Sequence, residues 1–315
     1  MMVSSTSGAN PSVSSTHMQG AGDELAQAIL RTVAYSDVFD FPLTNREIHR
    51  YLFGVRADRS SVDYALGNGA LVPEALTRND GYWMLKGRER LLDVRRRREE
   101  RSRALWRYAT QYGRLIAGLP FVRMVAVTGE LAVDNIRGDS DIDFFIVTEP
   151  GRLWLTRAMV IGIVKAAGRR GIEICPNYLV SENALHLDAR NLYAAREMAQ
   201  MVPISGRDIY ERIRRCNDWV TGYLPNASGP PRQVSLDADR SRLQPLSEWL
   251  LRNPLGDRAE SWEMNRKIRK FSRDARPGEE VAFSADWCKG HFDSHGAETL
   301  EAYAERLSRV EGLLQ

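Results

Sequence analysis

The chain has 315 residues, of which 43% are hydrophobic and 27% are charged, and its formal net charge is +3. The length allows two or three packed units, and the composition is ordinary for a soluble globular protein. So small a net charge does not by itself indicate a nucleic-acid partner. The longest apolar run, residues 158–164, is far below the roughly 20 residues of a membrane span, so we expect a soluble cytoplasmic protein.

The N-terminal segment, residues 1–22, is rich in Ser, Thr and Gly and lacks the apolar centre of a signal peptide. We therefore expect a disordered leader there. The cysteines are Cys175, Cys216 and Cys288, and they lie far apart in the sequence. Because they form no metal-binding or paired spacing, they favour reduced thiols in a cytoplasmic protein.

Residues 23–87 predict three helices followed by a β-hairpin. Thr44 and Glu47 have the spacing of a capping box, which marks the beginning of the second helix. The sequence Asn79-Asp80-Gly81 lies between two short apolar runs and is typical of a hairpin turn. Helices followed by a hairpin resemble a winged helix, a fold that serves either nucleic-acid binding or protein docking.

A long basic helix is predicted next, from about residue 88 onwards. Its four consecutive arginines, residues 95–98, favour contact with phosphate backbones. The helix also carries glutamates, and Glu99 with Arg103 forms a favourable pair four residues apart, which favours a solvated helix instead. Both interpretations remain open, so nucleic acid is one partner to consider.

The most informative stretch reads TGELAVDNIRGDSDIDFFIV, from Thr128 to Val147, and follows an apolar strand predicted at residues 121–127. Its second half predicts another strand, in which Asp141 and Asp143 project from the same face. Two carboxylates this close raise each other's pKa unless a cation lies between them. A hard divalent cation such as Mg²⁺ fits the pair, and Gly129 lets the backbone approach a phosphate closely.

Gly129, the spacer after it and the sequence Asp141-Ile142-Asp143-Phe144 resemble the signature of the DNA polymerase beta-like nucleotidyltransferase superfamily. The resemblance covers roughly residues 105–180. It implies transfer of a nucleoside monophosphate from an NTP to an acceptor, with Asp141 and Asp143 holding two Mg²⁺ ions, or Mn²⁺ as an alternative. It also implies a third carboxylate on a later strand, which we assign to Glu173.

Glu130 departs from the pattern of the family, which has a small residue here beside the β- and γ-phosphates. A carboxylate about 4 Å from a phosphate charge costs on the order of 4 kcal/mol at an effective dielectric of about 20. Three alternatives follow: Glu130 turns away from the pocket, it pairs with a cation such as Arg137 or Arg152, or the enzyme is impaired. The first two together are favoured.

Three further residues are candidates for nucleotide binding. Asn177 lies four residues beyond Glu173, after a bend expected at Pro176, and either contacts substrate or caps a local turn. Lys289 and His291, beside a glycine in the sequence DWCKGHF, either reach the triphosphate or acceptor or belong to an ordinary surface loop.

The predicted architecture is α/β (α+β), with a small mixed sheet in its nucleotidyltransferase domain. We expect a winged-helix-like domain at residues 23–87, the nucleotidyltransferase domain at residues 88–205, and a helical C-terminal region at residues 206–315 that closes the cleft. The predicted function is a Mg²⁺-dependent nucleotidyltransferase with an NTP and an unidentified acceptor as partners. The alternatives are a nucleic-acid-binding or regulatory protein with a degenerate catalytic domain, and a toxin–antitoxin or phage-defence component.

Overall fold

The fold is described from a computed structural model, which covers residues 12–68, 74–138, 141–234, 243–274, 283–289 and 292–312. These residues form α-helices and two β-sheets, one with three strands and one with five. The prediction of a mixed α and β class is therefore confirmed. No helix among the described residues is both long enough and apolar enough to cross a membrane.

The N-terminal part combines helices with the three-stranded sheet. Its elements are α1 (Ser12–Asp37), β1 (Leu43–Thr44), α2 (Asn45–Arg50), α3 (Arg59–Asn68), β2 (Leu76–Asn79) and β3 (Tyr82–Leu85). Strand β3 is central and antiparallel to both neighbours. The Thr44 hydroxyl accepts the Glu47 backbone N–H at 3.3 Å, and the Glu47 carboxylate accepts the Thr44 N–H at 2.8 Å. The predicted capping box and hairpin are both confirmed.

Helix α1 begins at Ser12, within the segment that the sequence predicts to be a disordered leader. Residues 12–22 are therefore helical in the structure, while residues 1–11 lie outside the described chain. The helix continues without a break into the apolar stripe of Leu30 and Val33, which is buried in the N-terminal core. An apolar stripe that packs in this way stabilises the helix that carries it more than local propensity does.

The central part contains the five-stranded sheet. Its elements are α4 (Leu91–Ala117), β4 (Val122–Val127), α5 (Gly129–Ala132), β5 (Ile142–Thr148), α6 (Leu153–Gly168), β6 (Ile174–Ser181), α7 (Leu192–Gln200) and β7 (Val202–Ser205). The strand order is β7-β4-β5-β6-β8, with β8 (Trp287–Lys289) supplied by the C-terminal region. Only β5 and β6 run parallel among these neighbours, joined by α6, so the sheet is mixed as predicted.

The central strands are apolar on both faces because helices cover both sides of the sheet. Phe144 and Ile146 of β5 pack with Trp106 of α4 and Trp154 of α6 on one side. Phe145 packs on the other side, in a core that also contains residues of α7 and the following helix. Burial on both faces explains the continuous apolar run of residues 144–147.

The C-terminal region is mostly helical, as predicted, but it also adds strand β8 to the sheet, antiparallel to β6. Its helices are α8 (Arg207–Cys216), α9 (Val220–Tyr223), α10 (Gln244–Leu251), α11 (Pro254–Asp274) and α12 (Phe292–Gly312). Helix α12 packs against α1 and α7. The last helix therefore contacts both the N-terminal and the central part of the chain.

Residues 226–232 are held against the N-terminal part by hydrogen bonds. The Asn226 carboxamide accepts the N–H of Ala57 at 3.3 Å and donates to the carbonyl of His49 at 3.0 Å. Arg50 donates to the carbonyl of Ser228 at 3.1 Å. This segment is therefore ordered and hydrogen-bonded to the N-terminal part, and it is not a flexible linker.

The basic helix α4 is only partly solvated. Arg95 is buried, pairs with Glu47 at 2.8 Å and with Glu99 at 2.6 Å, and stacks on the Phe41 ring at 3.9 Å. Within the described chain, Glu99 therefore pairs with Arg95 and not with Arg103 as predicted. Because Glu47 and Phe41 belong to the N-terminal part, this arginine fastens α4 to that part instead of presenting its charge to a nucleic acid.

Candidate functional site

A cleft of about 650 Å³ opens where β5 and β6 begin. The glycine turn after β4, the beginning of β6 and one face of α7 form its inner walls. Side chains of the N-terminal part and of α12 form the outer walls. Residues that line the cleft include Tyr35, Phe39, Phe41, Gly129, Glu130, Arg137, Asp141, Asp143, Cys175, Pro176, Asn177, Tyr193, Arg196, Glu197, Gln200, His295 and Thr299.

Asp141, Asp143 and Cys175 form a cluster of ligand-type side chains inside the cleft. One ligand atom from each residue lies within 4.8 Å of the others. Asp143 is the register partner of Cys175 on the parallel strand β6, so the two side chains project from the same face of the sheet. The structure thus brings the two aspartates together, as their spacing in the sequence indicates.

Glu173, the carboxylate assigned as the third member of the site, is not part of this cluster. It precedes β6, where its carbonyl accepts the N–H of Ile142 at 3.0 Å. Its side chain is exposed and does not line the cleft. Strand β6 begins only at Ile174, so the position beside Asp143 falls to Cys175. The assignment of Glu173 is corrected accordingly: the third ligand-type group of the described residues is a thiol.

Two members of the cluster, Asp143 and Cys175, have raised pKa values, so their uncharged forms are favoured when no cation is bound. Burial, with the neighbouring charges of Asp141 and Glu197, raises the pKa of Asp143 to about 8. Burial, with the neighbouring charges of Asp143 and Asp141, raises the pKa of the Cys175 thiol to about 12. A divalent cation would relieve this repulsion. Two carboxylates suit Mg²⁺ or Mn²⁺, and the added thiol increases the fit for softer ions such as Zn²⁺.

Gly129 lies against the cluster with a left-handed backbone, φ +65°. A Cβ atom at this position would collide with the carboxylate of Asp143. The Gly129 N–H donates to the carboxylate of Glu197, which partly offsets the effect of burial that raises the pKa of Glu197 to about 7. The glycine is therefore required for the close approach of the turn to both carboxylates.

Glu130 pairs with Arg137, one of the two cations proposed from the sequence. The backbone N–H of Arg137 also donates to the Glu130 carboxylate, at 2.9 Å. Arg152 pairs instead with Asp257, at 2.5 Å. Glu130 still lines the cleft, so the pairing partly neutralises its charge without removing the carboxylate from the site.

The remaining nucleotide-binding candidates have different outcomes. Asn177 lines the cleft beside Pro176, where the register of β5 and β6 shifts by a bulge. The bend expected at Pro176 is therefore present. The backbone of Lys289 pairs with Tyr178 in the sheet, but its side chain is outside what is described. His291 lies outside the described residues.

Arg196 and Glu197 line the cleft although no motif in the sequence marks them. Only 5% of the Arg196 surface is exposed, and its guanidinium carbon lies 3.5 Å from the centre of the Tyr51 ring. Residues 193, 196, 197 and 200 recur at helical spacing, so α7 presents one polar face to the cleft. That spacing is visible in the sequence, but the element that the face packs against is not.

Comparisons of the chain with protein-family models, with curated proteins and with solved structures find no match. The function must therefore be argued from the fold and the geometry of the site. The chain has mixed α and β structure, and two aspartates and a thiol converge beneath a glycine turn in its cleft. The group is enclosed by side chains from all three parts of the chain.

Proposed function

We propose that this chain is a divalent-metal-dependent nucleotidyltransferase. It would move a nucleoside monophosphate from an NTP to a hydroxyl acceptor and release pyrophosphate. The observation that carries the proposal is the convergence of Asp141 and Asp143 beneath Gly129 in one cleft. The resemblance of this segment to the polymerase beta-like superfamily supports the same activity, and the reduced thiols support a cytoplasmic location.

Asp141 and Asp143 would hold the divalent cation, with Cys175 as a third donor. When bound, the cation neutralises phosphate charge and lowers the pKa of an acceptor hydroxyl. Asn177 and Arg137 are placed in the same cleft, where they can orient substrate oxygens.

The N-terminal part supports the winged-helix assignment through its helices followed by the β2–β3 hairpin. We propose domain limits of 23–87, 88–205 and 206–315 for the three parts. Tyr35, Phe39 and Phe41 of the N-terminal part line the cleft. In this proposal the winged helix therefore forms a wall of the substrate site and does not act as a separate nucleic-acid reader.

A regulatory protein with a degenerate nucleotidyltransferase domain is the second candidate function. Two observations favour it: Cys175 occupies the position beside Asp143, and the carboxylate of Glu130 remains in the cleft. Both lower the affinity expected for a magnesium-bound triphosphate. Such a protein would bind a ligand in the cleft without turning it over.

Incubation of the protein with each α-labelled NTP and Mg²⁺ or Mn²⁺ tests the activity. We expect pyrophosphate release and label transfer with the wild type, and loss of both in Asp141→Asn. Asp208→Asn, an exposed substitution on α8, is the matched control and should behave as the wild type. Equal signals from wild type and Asp141→Asn would overturn the proposal. Nucleotide binding that is indifferent to Asp141→Asn, without turnover, would favour the second candidate.

Cys175 predicts an unusual metal preference for the same reaction. Replacing it by Asp supplies a hard oxygen ligand, so Cys175→Asp should shift the preference from Mn²⁺ or Zn²⁺ towards Mg²⁺. Titration of each metal into both proteins, followed by calorimetry, measures this shift. Cys216→Asp, at an exposed thiol, is the control. An unchanged order of metal affinities in Cys175→Asp would mean that the thiol is not a ligand.

A further inference from the structure

We propose that Arg196 binds a phosphate oxyanion of the substrate, in a subsite that α7 and the N-terminal part build together. The inference rests on the proposed function, because the nucleotidyltransferase reaction is what places a phosphate in this cleft. It adds to that function a binding residue and a role for the N-terminal part. The phosphate belongs either to the NTP or to the acceptor.

Arg196 has unsatisfied hydrogen-bonding capacity. Its side chain is buried, with 5% of its surface exposed, and it lines the cleft. Among the described residues, neither its Nε nor its Nη1 has a hydrogen-bond partner. A buried guanidinium normally donates most of its five N–H groups, and leaving them unmade is costly. An anion bound in the cleft against Arg196 would supply acceptors that the described residues do not provide.

Carboxylates near Arg196 are engaged with other groups. Glu197 accepts the N–H of Gly129 and the carboxamide N–H of Gln200, the latter at 2.5 Å. Glu47 accepts from Arg95 at 2.8 Å and closes the capping box of α2. Among the described residues, Arg196 therefore forms no ion pair that would neutralise its positive charge.

The orientation of the guanidinium also favours an oxyanion ligand. Its carbon Cζ lies over the Tyr51 ring, 3.5 Å from the ring centre, and 5.7 Å from the centre of the Tyr35 ring. Stacking uses the π-face of the group and leaves the in-plane N–H groups for hydrogen bonds. A guanidinium fixed in this way matches the oxygens of a phosphate, which accept two parallel N–H bonds.

Helix α7 places the arginine in the same cleft as the carboxylate cluster. Tyr193, Arg196, Glu197 and Gln200 share one helical face that lines the cleft. The bond from Gly129 to Glu197 fixes this face to the glycine turn against Asp143. A phosphate-bearing ligand in the cleft can therefore contact Arg196. The two tyrosines that pack against Arg196, Tyr35 and Tyr51, come from the N-terminal part.

The test compares the full-length wild type with Arg196→Gln and Arg196→Lys by calorimetric titration. The probes are inorganic tripolyphosphate, inorganic phosphate and ATP, each with and without Mn²⁺. Because charge-assisted pairs are lost, we expect Arg196→Gln to weaken tripolyphosphate binding about tenfold or more. Arg196→Lys should weaken it less. If Arg196→Gln does not fold, Arg196→Lys carries the test, since it keeps the charge but loses the planar fork.

Arg157→Gln is the matched control. Its guanidinium also stacks on an aromatic ring, Phe271 at 5.0 Å, and has an unpartnered Nε, but it does not line the cleft. The control should bind every probe as the wild type does.

The pattern of affected probes identifies the source of the phosphate. Weaker binding of both tripolyphosphate and ATP would assign Arg196 to the donor triphosphate. Weaker binding of inorganic phosphate alone would assign it to the acceptor. Unchanged affinity for all probes in both Arg196 variants would overturn the inference.

The two proposals fail in different ways. Arg196-dependent phosphate binding in a wild type without transferase activity would contradict the proposed function alone. Transferase activity combined with unchanged kinetics and binding in Arg196→Gln would contradict this inference alone. Asp141→Asn separates them further, because it should lose the effect of Mn²⁺ while keeping the metal-free affinity that depends on Arg196.

Discussion

Gly129 is restricted at the same time by its backbone conformation and by the space around it. With φ at +65°, an L-residue there pays a penalty of about 1–2 kcal/mol, and its Cβ would strike the Asp143 carboxylate. Gly138 has φ at +49° with open space around it. We expect Gly129→Ala to lower the free energy of unfolding more than Gly138→Ala does, because only Gly129→Ala adds a collision to the backbone penalty, and we expect only Gly129→Ala to lose metal binding. Denaturant unfolding and metal titration measure the two effects. Metal affinity that survives in Gly129→Ala would refute the contact.

Asp143 should make the metal-free protein less stable as the pH rises. Its pKa is raised from 3.8 to about 8 in the folded state, so the folded state holds this proton more tightly than the unfolded state does. Its contribution to stability is fully present below pH 3.8 and is lost as the pH rises through about 8. Asp143→Asn should reduce the fall in the free energy of unfolding between about pH 5 and about pH 8.

Urea unfolding in a chelating buffer at several pH values measures this slope for both proteins. Glu197, whose pKa is raised to about 7, contributes in the same direction, so some slope should remain in the variant. Divalent metal displaces the proton, and metal affinity should accordingly increase with pH. Identical slopes in the wild type and Asp143→Asn would contradict the prediction.

The residues of the site differ in how far the sequence predicts them. Asp141 and Asp143 are two apart in one strand, so the pleat alone places both on one face. The choice between Glu173 and Cys175 depends on where β6 begins and on its register with β5. Register comes from pairing with a distant segment, and a shift by one residue changes the face. For this reason the sequence alone favours Glu173, whereas the register of β6 places Cys175 beside Asp143.

Helix α4 is fastened to the N-terminal part by Arg95, whose buried charge is balanced by Glu47 and Glu99. Removing one partner of a buried ion pair leaves an uncompensated charge. Arg95→Met should therefore lower the free energy of unfolding by about 3–5 kcal/mol. Arg97→Met, an exposed change two residues away, should alter it by less than about 0.5 kcal/mol.

Urea unfolding curves for the two variants check this contrast. A loss of the same size in both would mean that the helix depends on its general positive charge and not on the buried pair. A loss confined to Arg95→Met would agree with the structural role of this part of the arginine run.

Elements with a local signal are predictable, and elements created by pairing are not. The capping box of Thr44 and Glu47 and the turn at residues 79–81 are encoded within a few residues, and both are present. Strand β8 covers only residues 287–289, too few to show a strand period. It exists because the edge of β6 offers unpaired backbone groups, which is information that lies elsewhere in the chain.

The assembly of the whole chain around the cleft was not predictable in its detail. A closing C-terminal region was expected, and α12 does contribute Thr299 and Ala302 to the cleft. The N-terminal contribution, Tyr35 and Phe39, was not expected, because a winged helix suggested a separate module. Contacts between residues this distant in sequence depend on the packing of finished elements, and no local pattern encodes them.

Asp37 joins the two ends of the chain. It is buried at the end of α1, and its carboxylate pairs with Arg88 at 3.0 Å and also with Arg306 of α12. Asp37→Ala removes the carboxylate that pairs with Arg306 and leaves Arg88 with Asp40 as its remaining partner, so it should lower the free energy of unfolding by about 3 kcal/mol. Asp63→Ala, which removes the exposed pair with Arg59, should cost about 1 kcal/mol or less.

Loss of the Asp37–Arg306 pair should also have a local effect that a general loss of stability would not produce. Since α12 packs on α1 and supplies part of the cleft wall, Asp37→Ala should lower hydrogen-exchange protection in α12 more than in β5. Phosphate affinity should fall in parallel, because the wall is no longer held in place. If protection decreased equally in α12 and β5, the Asp37–Arg306 pair would stabilise the whole chain without specifically holding the cleft closed.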